Sequence, residues 1–161
     1  MTSPVNLIVG WADWEFDEID RVLQAAFPGQ ADWVGNYVWM MANKSLSLKV
    51  VDGDKIVGVY GLRPDHVENF SGYIKRGSFK DLYRYRGVRG MHGIALAVVP
   101  EYRNRGLGRR MILASYLEAR RLSCRYVFGI QLRVLNNLKM WKKRRRHIGS
   151  SEIQHLTLVD L

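Results

Sequence analysis

The junction between an apolar run and a helical pattern, at residues 94–117, constrains this chain most. Ile94 to Val99 is a short, β-branched run typical of a buried strand. Pro100 has no N–H for a ladder hydrogen bond and ends the strand. A loop rich in arginine and glycine follows, and the apolar positions after it recur at helical spacing. These positions are Leu107, Met111, Ala114 and Leu117.

The loop at this junction has the composition of an anion-binding site. The first N–H groups of a helix have no internal partner and carry the positive end of the helix dipole. Gly106 and Gly108 have no Cβ atom to hold an anion away from those groups. An ordinary strand–helix connection would explain the glycines, but not the arginines on both sides of them. The sequence therefore predicts a cradle for a pyrophosphate.

The same residues resemble a known cofactor motif. Arg103, Gly106 and Gly108, just after a strand that ends in Val-Val-Pro, match the acetyl-CoA signature of the GNAT superfamily of N-acetyltransferases. That signature is Arg or Gln, two residues, Gly, one residue, then Gly or Ala. The Walker and dinucleotide fingerprints are absent. The resemblance implies acetyl-CoA as co-substrate and no metal.

The resemblance also implies which residues bind the cofactor. In the family, a backbone N–H at the splayed end of the central strand polarises the thioester carbonyl, and Val98 and Val99 hold the matching positions. An Asn early in the next strand–helix connection often bonds the pantetheine arm. Asn136 is the first candidate for that role, with Asn137 as its rival. The pyrophosphate would be bound by Arg103, Asn104, Arg105, Gly106, Leu107, Gly108 and Arg109.

The catalytic base is predicted on the same strand. Some family members carry a glutamate six residues before the position of Val98, where this chain has His92. An imidazole, with an unperturbed pKa near 6.5, can take a proton from an ammonium group directly or through water. His92 is therefore the candidate base, with His66 and Glu68 as substitutes and an inert, hydrogen-bonded histidine as the alternative.

The general acid departs from the family pattern. Many members place a Tyr in the last helix, where this chain has Trp141. An indole N–H donates a hydrogen bond but cannot deliver a proton. Tyr102, Tyr126 or solvent would then protonate the leaving thiolate, or the chemistry is weak.

Charge is concentrated in the later part of the chain. Residues 1–62 hold four Lys/Arg against eight acids, whereas residues 63–161 hold 21 against seven. This asymmetry favours an anionic partner such as nucleic acid, with a solvated helix end as the alternative for the densest run. That run is Lys142, Lys143, Arg144, Arg145 and Arg146.

The segment at residues 63–90 also mixes bases with aromatics, and it has no regular periodicity. Such a segment can bind single-stranded nucleic acid through backbone attraction and base stacking. The alternative is a solvated loop with a short helix around Phe79–Tyr85 whose aromatics pack inward. The resemblance places this connection beside the acceptor.

A chain of 161 residues is one domain by size, so residues 1–161 are predicted to form a single GNAT-like domain. The element order resembles the GNAT fold, a mixed, mostly antiparallel central sheet flanked by helices (α/β, or α+β). The family ends in two further strands, so the sheet here is expected to be abbreviated at the C-terminus or completed by a partner in a homodimer. The remaining predicted elements are a strand at Val5–Val9, helices capped by Asp13 and Asp32, strands at Ser45–Val51, Ile56–Leu62, Arg125–Leu132 and Glu152–Asp160, and a helix at Leu135–Arg146.

The compartment follows from what the sequence lacks. No apolar run is long enough to span a bilayer, and the N-terminus has no basic n-region, so a cytoplasmic location without membrane contact is expected. Cys124 is the one cysteine, which rules out an internal disulfide and a multi-cysteine metal site.

Together these features predict an N-acetyltransferase that moves the acetyl group of acetyl-CoA to an amine by direct transfer. The acceptor is a small amine, a protein amine, or an amine carried on nucleic acid. The alternative is a non-catalytic protein of the same fold that binds nucleic acid or an acidic partner through its basic face.

Overall fold

A computed structural model describes residues 5–10, 15–30, 34, 38, 46–73, 76–77, 82–132, 146–150 and 154–161. The chain forms two compact units. The first comprises Met1–Arg63 with Ile94–Ser115, and the second comprises Pro64–Gly93 with Tyr116–Leu161. Several predictions lie outside the described residues: the caps Asp13 and Asp32, the amides Asn136 and Asn137, Trp141, and the basic residues Lys142, Lys143, Arg144 and Arg145.

The first unit is built on three antiparallel strands. The strands are β1 (Asn6–Val9), β2 (Leu46–Asp52) and β3 (Lys55–Asp65). β1 pairs with β2, and β2 pairs with β3 through the turn at Gly53, whose φ is +57°. The predicted strand at the N-terminus and the predicted hairpin are thus confirmed.

Helix α1 (Phe16–Ala26) covers this part of the chain with an apolar face. Its N-cap residue is Glu15, whose carboxylate pairs with Lys49, and no side chain caps the helix by a hydrogen bond. The sequence predicted Asp13 as the cap, but Asp13 lies outside the described residues, and the N-cap position of α1 belongs to Glu15. Its buried residues are Ile19, Val22, Leu23 and Ala26.

The second unit contains four further strands and the start of a fifth. They are β4 (Arg76–Gly77), β5 (Gly90–Val98, of which Gly90–Gly93 belong to this unit), β6 (Tyr126–Leu132), β7 (Arg146–Ser150) and β8 (Gln154–Asp160). Their order is β5-β6-β8-β7-β4. β5 pairs with β6 in parallel, from Met91↔Val127 to Gly93↔Gly129, and the other described pairs of this unit are antiparallel. The mixed, mostly antiparallel sheet predicted from the sequence is therefore confirmed.

The C-terminus corrects two expectations. Arg146 begins a strand instead of ending a helix, and two strands, β7 and β8, close the chain as an antiparallel pair. The sheet is therefore not abbreviated. The pattern of residues 146–150 does not indicate a strand because the segment is short, polar and broken by an irregularity between His147 and Gly149.

The helix after β5, α2 (Leu107–Arg121), buries a different face from the predicted one. Leu107 and Met111 are buried as expected, but Leu117 is 67% exposed. Ten residues from Leu107 fall about 80° short of three full turns, so Leu117 has rotated out of the buried face. The buried positions further along the helix are Ile112, Ser115 and Ala119.

Candidate cofactor site

The end of β5 presents backbone polar groups in two directions. The N–H of Val99 donates to the carbonyl of Val57 on β3 at 3.0 Å, and the carbonyl of Val99 accepts from the N–H of Tyr102 at 3.0 Å. Successive residues of a strand direct their N–H groups to opposite sides, so the N–H of Val98 points away from β3. Of the two valines expected to align the thioester, Val99 uses its N–H within the strand pair, and Val98 is left as the better candidate.

The sign of the backbone angle φ alternates along the loop after β5. A short 3-10 helix, Pro100–Tyr102, leads into Arg103, which is extended. Asn104 has φ +61° and Gly106 has φ +74°, whereas the φ of Arg105 between them is not positive. Alternation of this kind turns consecutive N–H groups toward one side and forms an anion-binding concavity. The loop is therefore a candidate phosphate cradle.

Gly106 and Gly108 are small for different reasons. Gly106 has a backbone conformation that side chains other than Asn rarely adopt, although nothing lies within 4 Å of where its Cβ would be. Gly108 has no such conformation, and a Cβ there would meet only Leu96 Cδ2, at an ordinary 3.9 Å. Glycine in a helix costs about 1 kcal/mol relative to alanine. Within the described residues neither packing nor φ requires Gly108, which makes it a candidate for close approach of a ligand to the backbone.

The first turn of α2 is electrostatically suited to an anion. Its first hydrogen bond runs from the N–H of Arg110 to the carbonyl of Gly106, at 3.0 Å. That turn contains no acidic residue, although carboxylates are favoured there. Exposed arginines flank the turn instead, at positions 103, 105, 109 and 110.

Arg103 fixes the loop to its own unit. Its Nε donates to the carbonyl of Val98 at 3.2 Å, and its Nη2 donates to the carbonyl of Ala26 at 2.9 Å. Ala26 ends α1, where the helix dipole favours a cation. Since a guanidinium has five N–H donors, Arg103 can hold these carbonyls and still donate to an anion.

Arg105 lies on the ring of Tyr102. Its Cζ is 4.6 Å from the ring centroid, a cation–π contact, and its Nη2 donates to the carbonyl of Glu101 at 2.9 Å. Tyr102 donates its hydroxyl to Asp52 Oδ2 at 2.6 Å, which ties the loop to the β2–β3 turn. Sequence reasoning missed Asp52, because the two residues are 50 positions apart and no pattern links them.

A second residue missed from the sequence is Gly58 on β3. A Cβ there would lie 3.2 Å from Met111 Cε, 3.3 Å from the carbonyl oxygen of Ala97 and 3.4 Å from Val98 Cγ2. The missing side chain thus allows β5 and α2 to approach β3 closely. An isolated glycine in a strand is the available sequence signal for such an approach.

The two tyrosines suggested as general acids hold their protons in internal hydrogen bonds. The hydrogen bond to Asp52 raises the pKa of Tyr102 above its usual value. Tyr126 donates to the carbonyl of Val88 and accepts from the N–H of Val67, both at 3.0 Å. Burial raises the pKa of Tyr126 to about 12. Both hydroxyl protons are therefore engaged within the protein.

His92 lies on the part of β5 that belongs to the second unit. It is 6% exposed, and its ring lies 4.5 Å from that of Phe70 and 5.0 Å from that of Phe128, with which it is stacked. The two aromatic neighbours fix the orientation of the imidazole.

The substitutes for His92 have turn-forming contacts. The backbone N–H of His66 donates to Asp65 Oδ1 at 2.8 Å, and within the described ranges its buried Nδ1 has no hydrogen-bond partner. The carboxylate of Glu68 accepts from the N–H of Gly87 at 3.1 Å. Glu68 therefore stabilises the connection that ends at β5.

Metal-binding groups and membrane-spanning helices are both absent from the described part of the chain. No group of three His, Cys, Asp or Glu side chains there could hold a metal ion. None of the described helices is long and apolar enough to cross a membrane.

Comparison with solved structures finds the same fold in several proteins. A GNAT-family acetyltransferase from Desulfovibrio desulfuricans has a TM-score of 0.70 at 12% identity, over 98% of this chain and 99% of that one. Arabidopsis thaliana NAA60, solved with acetyl-CoA, has a TM-score of 0.69 at 16% identity, over 98% and 99%. A Brucella melitensis GNAT-family acetyltransferase, also solved with acetyl-CoA, has a TM-score of 0.60 at 16% identity, over 93% and 86%.

Comparison with curated protein sequences finds no match. The family model described as "Acetyltransferase (GNAT) family" matches residues 10–145. Since that match covers most of the chain and the fold agrees, this protein is a member of the GNAT acetyltransferase family.

Proposed function

We propose that this protein transfers the acetyl group of acetyl-CoA to an amine by direct transfer in a ternary complex. The observation that supports the proposal is the loop between β5 and α2. The sign of φ alternates along this loop, and the first turn of the helix after it contains no acidic residue. Both features favour the binding of a diphosphate. The acetyl-CoA bound in the Arabidopsis and Brucella structures supports the same choice of co-substrate.

The residues of the loop divide the work of binding. Backbone N–H groups from Asn104 to Gly108 face the diphosphate, and Arg105 and Arg109 offset its charge. Arg103 keeps the loop fixed to α1 and β5 through its two carbonyl contacts. Val98 presents its N–H for the acyl carbonyl, where a fixed donor stabilises developing negative charge. Acetyl-CoA itself supplies an acyl group activated as a thioester.

His92 remains the proposed base. An immobilised imidazole can accept a proton from the acceptor's ammonium group, directly or through one water, before the amine attacks. Replacement of His92 by Gln should reduce kcat and remove the acidic limb of the kcat/KM–pH profile, with the Kd for acetyl-CoA unchanged. A profile that keeps its acidic limb in H92Q would assign the base elsewhere, and H66Q is the matched comparison.

The whole proposal is tested by titration calorimetry with acetyl-CoA, followed by thiol-release assays over a panel of amines. Binding at micromolar to millimolar concentrations and turnover on at least one amine are expected. Failure to bind acetyl-CoA at millimolar concentration would overturn the proposal. Binding without turnover on any amine would favour the non-catalytic alternative.

We further infer that the acceptor amine is carried on nucleic acid, since residues 63–161 hold a large excess of Lys and Arg over acidic residues. Neutralisation of the run from Lys142 to Arg146 should then raise the KM for a nucleic-acid-linked amine, with acetyl-CoA binding intact. Activity on such an acceptor should also fall steeply with salt. An unchanged KM and a flat salt dependence would favour a small amine.

A further inference from the structure

The segment 82–89, called the arginine–tyrosine turn below, separates its apolar and basic residues sharply. Leu82 and Tyr85 are each 5% exposed and belong to one buried hydrophobic cluster, against which Val88 packs. Tyr83 between them is 67% exposed. The other outward side chains are Arg84, Arg86 and Arg89.

Backbone hydrogen bonds hold this turn in one shape. Tyr85 N–H donates to the carbonyl of Leu82 at 3.0 Å, and Val88 N–H donates to that of Tyr85 at 2.9 Å. The Tyr85 hydroxyl donates to Asp160 Oδ1 at 2.7 Å, and the N–H of Gly87 donates to Glu68. Because the backbone is already ordered, binding through the outward side chains costs little loop entropy.

The described residues around the turn carry more positive than negative charge. Residues 82–90 include no acid, and the N–H of Arg125 donates to the carbonyl of Arg89 at 2.9 Å, which places another exposed arginine beside the turn. Among the described residues, the carboxylates hydrogen-bonded to the turn are those of Glu68 and Asp160. Four exposed arginines thus outnumber two carboxylates that already accept hydrogen bonds.

The family's cofactor site does not explain these arginines, and neither does helix capping. Arg120 and Arg121, by contrast, lie in the last turn of α2, where the helix dipole favours cations. Arg121 also pairs with Glu118 at 2.7 Å. Those two residues have a structural reason for their charge, and they serve as a control.

We propose that the arginine–tyrosine turn binds single-stranded RNA. An exposed, fixed tyrosine ring offers a stacking platform for an unpaired base, and arginines beside it can hold phosphates bidentately or stack on bases themselves. Loops and ends of RNA present such unpaired bases, whereas a duplex hides them. An acidic protein would use the arginines but would gain nothing specific from the ring.

The ring is tested by fluorescence anisotropy with a labelled 20-nucleotide oligouridine, in the absence of CoA. Replacement of Tyr83 by Ala should weaken binding about tenfold, and Y83F should bind like the wild type, because stacking needs the ring and not the hydroxyl. The same variants should bind a duplex RNA of equal length equally well. Equal affinity of Y83A and wild type for the oligouridine would overturn the proposal.

The arginines are tested by the salt dependence of the same binding. The double variant R84A/R86A should lower the slope of log K against log salt by about 1.4, since each single-strand phosphate contact contributes about 0.7. The charge-matched control R120A/R121A should leave the slope unchanged. Equal loss in both double variants would show diffuse attraction and refute a defined surface. Competition by polyglutamate as effective as that by oligouridine would point instead to an acidic protein.

This inference does not depend on acetyl transfer. All variants should keep the wild-type acetyl-CoA affinity, because the altered side chains are exposed and lie outside the loop between β5 and α2. The variants of the turn should also melt close to the wild-type temperature, whereas R120A/R121A should lose some stability with the ion pair to Glu118. RNA binding without acetyl-CoA binding would leave this proposal standing and defeat the proposed function. Acetyl-CoA binding with no oligouridine binding would do the reverse.

Discussion

Glycines at the two ends of β5 illustrate two different demands on the same residue type. Gly90 begins the strand, and a Cβ there would lie 2.1 Å from Cε2 of Tyr126, which is fully buried. Gly108, after the strand, would place its Cβ 3.9 Å from Leu96. Packing therefore requires Gly90, whereas no contact within the described residues requires Gly108. Gly90 thus serves the fold, and Gly108 is left as a candidate for contact with a ligand.

The arginines of the loop after β5 and those of the arginine–tyrosine turn before it also differ in their contacts. In the loop between β5 and α2, Arg103 and Arg105 donate to backbone carbonyls, and these hydrogen bonds hold both side chains in place. In the arginine–tyrosine turn, Arg84, Arg86 and Tyr83 are exposed, and the Cζ of Arg84 lies 6.0 Å from the ring centroid of the buried Tyr85. The first arrangement suits one small anion in a fixed place, and the second suits an extended anionic chain.

The largest effect is expected from Gly90→Ala, which should lower the free energy of unfolding by about 3 kcal/mol, because a rigid ring must move to admit the methyl group. Denaturant unfolding followed by fluorescence measures it. The control is Gly129→Ala on β6, where the nearest atom is 3.7 Å away, and a change below about 1 kcal/mol is expected there. Equal effects at the two positions would remove the distinction drawn for Gly90.

The second-largest effect is a fall in the free energy of unfolding at alkaline pH, which arises from the buried Tyr126. Burial favours the neutral phenol, so the native pKa is about 12 against the ordinary 10.0. The unfolded chain loses this proton from about pH 10 and the native protein only near pH 12, so stability is full below pH 10 and falls by about 2 kcal/mol between these values. Unfolding by urea at a series of pH values measures the fall. Tyr126→Phe should lack this component, and a slope identical to that of the wild type would refute it.

Gly108→Val should weaken acetyl-CoA binding about tenfold while leaving the melting temperature equal or higher, since valine is a better helix former than glycine. Calorimetry and thermal unfolding together measure the two effects. Gly108→Ala is the matched comparison, because a single methyl group should weaken binding in the same direction but by less than valine does. Loss of stability in parallel with affinity would mean that Gly108 serves the fold after all.

The smallest effect concerns the tie between Tyr102 and Asp52. Tyr102→Phe keeps the ring under Arg105 but removes the hydrogen bond, and acetyl-CoA affinity should fall about threefold. In a double-mutant cycle with Asp52→Ala, the second change should add little once the first is made. Fully additive losses would show that the two residues act separately.

Sequence reasoning reached the parts of this protein that depend on neighbouring residues. The β2–β3 hairpin and the mixed, mostly antiparallel sheet followed from local patterns and a motif-based resemblance, and the structure confirms them. The strand β7 and the exposure of Leu117 did not follow. β7 exists through its pairing with β8, and the buried face of α2 is selected by what packs on it.

The sequence by itself determined the glycine and arginine content of the cofactor loop, because a motif of six residues encodes its own backbone options. Only the tertiary structure decided which groups remain available there. It shows that Val99 donates to Val57, that Tyr102 donates to Asp52, and that a Cβ at Gly108 would make only an ordinary contact with Leu96. The physical reason is distance along the chain: local propensity fixes a turn, but hydrogen bonds and van der Waals contacts between remote residues appear only when the chain has folded.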